Sequence, residues 1–274
     1  NCTMNYYTSQ RLSPSITRIT DFTGVCCYLV EGEEKACLLD TCNGFGNIRE
    51  YAETLTDKPL FVILTHGHID HAPGACWFDE VYLNHADLKL VHQHASRSYR
   101  LERFSADPQN QTIPQADYCP DFTGEYRDIQ DGQNFDLGGV SVQMIACPGH
   151  TQGMMMPLIR EERTIIFGDG CGVGVLLFGE NSSTVSEYKK SLEKIQMLQD
   201  QYDLILRNHG TFTSPKELLG NVIECCNAIL EGRASGQKII THGIEFFIAQ
   251  AVDEQENRLD GKTGNIKYTA DKAC

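Results

Sequence analysis

The stretch Leu60-Phe61-Val62-Ile63-Leu64-Thr65-His66-Gly67-His68-Ile69-Asp70-His71 sets five consecutive apolar residues just ahead of three histidines and an aspartate. An apolar run followed by such a turn reads as a buried strand that delivers metal ligands to its C-terminal end. Side chains of an extended backbone alternate, so His66 and His68 point the same way, while Asp70 and His71 fall where the chain bends and face a second point nearby. Four ligand-type groups this dense are costly to desolvate unless something cationic satisfies them. A metal cluster is therefore expected here rather than a polar loop.

Composition bounds the rest. The 274 residues allow one large domain or two small ones, and 41% hydrophobic content supports a core. A net charge of −14 works against nucleic-acid binding, which normally shows as clustered Lys and Arg. No apolar run reaches membrane-spanning length, and Asn1 to Tyr6 has no basic-then-apolar leader pattern, so a soluble, cytoplasmic chain with no membrane partner is expected. Met4 is a candidate native start, with residues 1 to 3 foreign to it. The twelve cysteines include adjacent pairs at Cys26-Cys27 and Cys225-Cys226 and no CxxC. Most read as small buried hydrophobes in a reducing compartment, with Cys147 and Cys171 candidates for the periphery of the metal site.

Along the chain, 16–19, 25–30 and 36–39 read as antiparallel strands split by polar turns. Asp40 ends the third and reads equally as a buttress for a ligand loop or as an Asx turn. Residues 47–55 look helical, 60–64 and 80–84 are strands, and 86–96 is a helix; a helix between strands places helices on a sheet face. His85 stands just past a strand end and is a candidate pocket residue, whereas His92 and His94 read as surface positions. Residues 97–135 carry scattered Pro and single aromatics and read as a substrate-binding lid.

The strand at 137–146 ends in Cys147-Pro148-Gly149-His150, the strand at 163–168 in Asp169, and the strand at 202–206 in Arg207-Asn208-His209-Gly210. Amphipathic helices are expected over 183–199 and 215–231, and strands over 238–241, 246–251 and 265–268. Four strands thus end in a ligand-type residue followed within a turn by Gly, which lines one sheet edge with His66, His68, His150, Asp169 and His209.

These residues resemble the signature of the metallo-β-lactamase fold superfamily: His-x-His-x-Asp-His at His66, His68, Asp70 and His71, then His150 in Pro-Gly-His-Thr, Asp169 in Phe-Gly-Asp and His209 in Asn-His-Gly. The resemblance spans residues 14–270 as one domain behind an N-terminal segment 1–13. It implies an αββα sandwich of two mixed sheets flanked by helices. It also implies that His66, His68 and His150 hold a first metal, that Asp70, His71 and His209 hold a second, and that Asp169 bridges them. Zinc suits the mixed N and O set, with iron or manganese as alternatives. Two cations bring a shared water toward ionisation near neutral pH, and the resulting hydroxide attacks a small substrate, with Asp70 both a ligand and its orienter.

Branches of the superfamily narrow the reaction. β-Lactamases put Cys or Ser where Asp169 stands, and the flavin-partnered di-iron branch puts Glu where His68 stands. What remains resembles the binuclear hydrolases: thioesterases of the glyoxalase II type, lactonases and phosphodiesterases. Cleavage of a small ester, lactone, thioester or phosphodiester is the expectation. Alternatives are an oxidoreductase or sulfur oxygenase on the same scaffold, with Cys171 near the site, or a nuclease, which the acidic composition opposes. A Gly-x-Ser-x-Gly elbow is absent, in keeping with a nucleophile supplied by metal.

Overall fold

The computed structural model describes residues 5–274, so the question of a native start at Met4 lies outside the described residues. The chain divides into two compact units, Asn1–Gln143 and Met144–Cys274, each with its own apolar core.

The first unit carries a seven-stranded sheet. Strands β1 (Tyr7–Arg11), β2 (Ile16–Asp21), β3 (Cys26–Glu31) and β4 (Ala36–Leu39) form an antiparallel meander. Helix α1 (Ile48–Glu53) then carries the chain across, so β5 (Leu60–Ile63) joins parallel to β4, the geometry a helical crossover permits and a tight turn does not. Asn47 caps α1 by accepting from the backbone N–H groups of Arg49 and Glu50. Strand β6 (Val81–Tyr82), helices α2 (Leu88–His94) and α3 (Arg97–Ser105), and strand β7 (Tyr126–Arg127) complete the unit's main sheet and its helical cover. In register, Leu39 of β4 and Tyr82 of β6 both stand opposite Ile63 of β5. Asp40 and the His66–His71 loop therefore leave the sheet at the same end.

Strand β8 (Asn134–Asp136) pairs with the first residues of β9 (Ser141–Ala146), which runs across the division into the second unit. There β9 is followed by β10 (Met155–Ile159), β11 (Thr164–Ile166), β12 (Val175–Leu177), α4 (Val185–Gln196), β13 (Leu204–Leu206), β14 (Thr213–Ser214), α5 (Glu217–Leu230), β15 (Lys238–Thr241), β16 (Ile244–Ile248) and β17 (Ile266–Tyr268). One sheet runs β14-β13-β11-β10-β9, and a smaller one runs β12-β17-β16-β15. Thr184 and Glu187 form a reciprocal capping box at the start of α4. Strands β11 and β13 are parallel, with Ile166 opposite Leu206, so Asp169 and His209 each lie three residues beyond matched strand ends. Among the described residues, no helix is long and apolar enough to cross a membrane.

Within the second unit, Tyr188, Leu192, Val222 and Cys226 gather a core around β9, β10 and β11. The segment 97–135, expected to be a long, little-patterned substrate-binding lid, carries regular structure. It contains α3, short 3₁₀ turns at Pro108–Asn110 and Gln115–Asp117, and β7, and it packs Phe104 and Tyr118 on Phe45 with ring centroids 5.1 and 5.0 Å apart. Strands β1, β10 and β12 were not anticipated.

Candidate metal centre

In the first unit the ligand-bearing loop is held by buried polar groups on every side. Asp40, fully buried at φ 69°, is the centre of this arrangement. Its Oδ1 accepts from the Thr65 backbone N–H at 2.7 Å and its Oδ2 accepts from the Thr65 hydroxyl at 2.7 Å. That hydroxyl has one proton, and a carboxylate can only accept, so Thr65 Oγ1 must in turn accept from Nδ1–H of His66, 2.9 Å away. The hydrogen-bond network thereby assigns the His66 tautomer, and Nε2 carries the lone pair. Asp40 Oδ2 also lies 3.2 Å from Nδ1 of His71 and favours a proton there. The buttress reading of Asp40 is the one the structure bears out.

The backbone of the loop is tied as firmly. Gly67 N–H donates to buried Asp87 at 3.0 Å, Ile69 N–H to Nδ1 of His94 at 3.1 Å, and both the backbone and hydroxyl of Thr41 donate to the His71 carbonyl. His66 and His71 bring their ring centroids to 4.5 Å, His66 and His68 to 4.8 Å, and Asp70 Oδ1 lies 3.3 Å from His71 Nε2. The four predicted residues of this unit therefore converge, with His66 and His71 buried and Asp70 facing outward.

His94 departs from its expected surface role. Its ring lies 5.2 Å from that of His68 and stacks on Tyr99 at 4.9 Å. Burial lowers its pKa to about 4, against the opposing charge of Asp70, so the ring is neutral near pH 7. With Nδ1 accepting from Ile69, Nε2 carries the proton, and it lies 3.5 Å from the Tyr99 hydroxyl. The signal in sequence was faint: an aromatic five residues beyond a histidine that ends a helix.

The second unit assembles its own three. His150 Nδ1 lies 2.9 Å from the Leu176 carbonyl, which can only accept, so Nδ1 is protonated and Nε2 again carries the lone pair. Its Nε2 is 3.9 Å from Asp169 Oδ2, and Asp169 Oδ1 is 3.3 Å from His209 Nε2. Helix α4 supports two of these turns through one side chain. The Tyr188 hydroxyl donates to the Gly170 carbonyl beside Asp169, and its ring lies where a Cβ on Gly149 would come within 2.1 Å of Cδ1. Only glycine fits before His150. Arg207 Nε donates to the Gly168 carbonyl at 2.9 Å and so links the turn carrying Asp169 to the strand end carrying His209.

The donor set fits divalent cations. Imidazoles presenting Nε2 with Nδ1 fixed by an oxygen partner, interleaved with carboxylates, are the donors a divalent-metal site uses. Two further candidates do not belong with these residues. Cys171, like Cys147, is fully buried in the apolar core of its unit, and burial pushes its thiol up to about 12, so no substrate reaches it. His85 is exposed, but its Nε2 is bonded to the Tyr126 carbonyl at 2.8 Å and its backbone N–H to Asp128, which gives it an anchoring role.

Comparison with known proteins agrees with the site chemistry. The chain is 24% identical over 203 residues to the human acyl-coenzyme A thioesterase MBLAC2, covering 64% of this chain and 68% of that protein. It is 23% identical over 205 residues to the hydroxyacylglutathione hydrolase GloC of Haemophilus influenzae, covering 73% and 91%. Among solved structures, the sec-alkylsulfatase Pisa1 from Pseudomonas sp. superposes with a TM-score of 0.63 at 10% identity, covering 82% of this chain, which spans only 42% of the sulfatase. A metallo-beta-lactamase family protein from Thermus thermophilus superposes with a TM-score of 0.55 at 17% identity, covering 83% and 80%. These likenesses show the fold. The family model of the metallo-beta-lactamase superfamily matches residues 20–202, more than half of the sequence, and the chain belongs to that superfamily.

Proposed function

We propose that the protein is a binuclear metal-dependent hydrolase of small thioesters. His66, His68 and His150 would hold one ion, and Asp70, His71 and His209 the other, with Asp169 shared between them. Support comes from the order of the motif along the chain and from the matched chemistry of the two ligand groups. The observation that carries the reading is the tautomer network: Thr65 and Leu176 fix Nδ1–H on His66 and His150, leaving Nε2 to face a cation. Zinc suits imidazole with carboxylate best. When bound, two such ions polarise a carbonyl and bring a shared water toward ionisation at neutral pH.

The chain's own residues supply the rest. Asp70, with 26% of its side chain exposed, would accept a proton from the attacking water and orient it. Asp40 and Thr65 keep His66 from rotating as charge develops. The relatives are named as acting on acyl-coenzyme A and hydroxyacylglutathione, both thioesters, which favours that class over lactones and phosphodiesters. A reducing, cytoplasmic location accords with eleven described cysteines carrying free thiols, nine of them buried.

The test is a substrate panel run on protein with its metal content measured. Acyl-coenzyme A and S-lactoylglutathione are expected to be cleaved at least tenfold more efficiently than lactones or bis(p-nitrophenyl) phosphate. Asp169→Ala is expected to lose one ion and most activity while keeping its thermal melt. One iron per chain with oxygen uptake, or an Asp169→Ala variant retaining both ions, would overturn the proposal.

A further inference from the structure

Two pairs of candidate ligands share the loop after β5, and the structure holds them differently. His66 and His71 are buried and answer to Asp40, His71 directly and His66 through the Thr65 hydroxyl. His68 and Asp70 are half-buried and stand one residue to either side of Ile69. The peptide between His68 and Ile69 is a rigid plane, so turning it changes ψ of His68 and φ of Ile69 together and swings both flanking side chains.

That plane is gripped at both ends. Its carbonyl accepts from the backbone N–H groups of His71 and Ala72, each at 3.1 Å, which are bonds internal to the loop. Its N–H donates to Nδ1 of His94 at 3.1 Å, which ties the plane to a separate element, helix α2. An N–H can only donate, so Nδ1 offers its lone pair there and the imidazole is neutral with its proton on Nε2. Packing sets where that lone pair stands: the His94 ring stacks on Tyr99 at 4.9 Å with the planes 28° apart, and lies 5.2 Å from the His68 ring. Helix α2 meets the loop at Gly67 as well. A Cβ there would come within 3.1 Å of Val91 Cβ and Val91 N, and the Gly67 N–H donates to Asp87 just ahead of the helix.

We propose that His94 is a positioning residue whose Nδ1 sets the plane of the His68–Ile69 peptide and so aims His68 and Asp70 together. The inference rests on the ligand assignment proposed above, in which these two residues serve different ions, so one hydrogen bond bears on both. In this role His94 needs only an acceptor at the place of Nδ1. Without it the Ile69 N–H turns to water, the peptide is free to rotate, and His68 and Asp70 must be ordered at the moment an ion binds, which weakens binding. Asp40 and Thr65 do the corresponding work for His66 and His71, so the loop is oriented from two sides by separate groups.

The experiment uses the full chain, with zinc alone as the probe. His94→Ala removes the acceptor, His94→Asn returns an amide oxygen close to the place of Nδ1, and His94→Gln carries it on toward the place of Nε2. Both amides lose the ring stacked on Tyr99, so the difference between them isolates the hydrogen bond from packing. By competition with a chelator, His94→Ala and His94→Gln are expected to bind zinc about tenfold more weakly than the parent, and His94→Asn within about threefold of it. In the metal-free protein, hydrogen exchange at the Ile69 amide is expected to be about tenfold faster in the Ala and Gln variants and close to the parent in the Asn variant. Equal loss of zinc affinity in the Asn and Gln variants would overturn the inference, as would parental affinity in His94→Ala or Ile69 exchange indifferent to all three changes. Neither readout needs a substrate, so a parent protein that binds zinc yet cleaves no thioester would count against the proposed reaction and not against the role of His94.

Discussion

Asp40 shows how much one buried carboxylate governs. It accepts two hydrogen bonds from Thr65, fixes His66 through the Thr65 hydroxyl and lies against Nδ1 of His71, so two candidate ligands depend on it. Asp40→Asn keeps the shape but sets an amide donor against donors. With the Thr65 hydroxyl turned away, His66 is released to the other tautomer. Metal affinity is expected to fall about 10–100-fold, as for other groups that orient ligands, measured by titration against a competing chelator with far-UV circular dichroism unchanged. Unaltered affinity would mean that His66 and His71 are held by packing alone. The seven ligand-type positions are legible in sequence because each follows an apolar run. The partners of His66 and His150 are not, since Thr65 is an ordinary strand-end threonine and Leu176 contributes only its carbonyl. His94 is read wrongly from sequence because a polar residue on a short helix defaults to the surface, and only tertiary contact reveals its packing against His68 and Tyr99.

At the scale of elements, the turns bearing Asp169 and His209 depend on the pairing of β11 with β13. Arg163 grips that pair at its far end. Its Nε and Nη2 reach both oxygens of Asp203 at 2.5 and 3.1 Å, and its carbonyl accepts from the Asp203 backbone. The Arg163 hydrogen bonds, assisted by Lys216, lower the Asp203 pKa from 3.8 to about 2. A depressed carboxylate pKa means the pair's contribution is complete above about pH 4 and is lost as the pH falls through about 2. Carboxyl NMR is expected to place the Asp203 midpoint near 2, and Arg163→Gln to return it toward 3.8; a midpoint unmoved by that change would show that the clamp is absent in solution. Helix α4 makes the other support. Gly149→Ala would drive a Cβ into the Tyr188 ring, and overpacking of this kind costs about 1–3 kcal/mol. Both a lower melting temperature and weakened metal binding are expected, and Tyr188→Ala in the same chain should relieve the clash in part. Helices α4 and α5 and strands β5, β11 and β13 are readable from periodicity. Strand β10 is hidden because Pro157 interrupts it and all five residues are buried, which removes the alternation that marks a strand. Strand β1 is hidden for the opposite reason: four of its five residues are exposed and polar.

Over the whole molecule, charge sets a constraint on the proposed substrate class. The sequence carries −14, and two divalent ions would offset only four of those charges. A coenzyme A thioester is itself a polyanion, so encounter takes place against a repulsive field that ionic strength screens; the Debye length falls from roughly 30 Å at roughly 10 mM salt to ~8 Å at physiological strength. Raising salt across that range is therefore expected to increase kcat/KM for an acyl-coenzyme A about threefold, with the gain in association rather than in kcat. A neutral ester such as p-nitrophenyl acetate feels no such field and should respond little, which controls for salt acting on the metal ions or on stability. A response of opposite sign, with salt slowing the anionic thioester alone, would mean that cationic groups near the entrance outweigh the global charge and attract the substrate. In that case Lys and Arg positions on the approach, rather than net charge, would govern which thioesters the enzyme accepts.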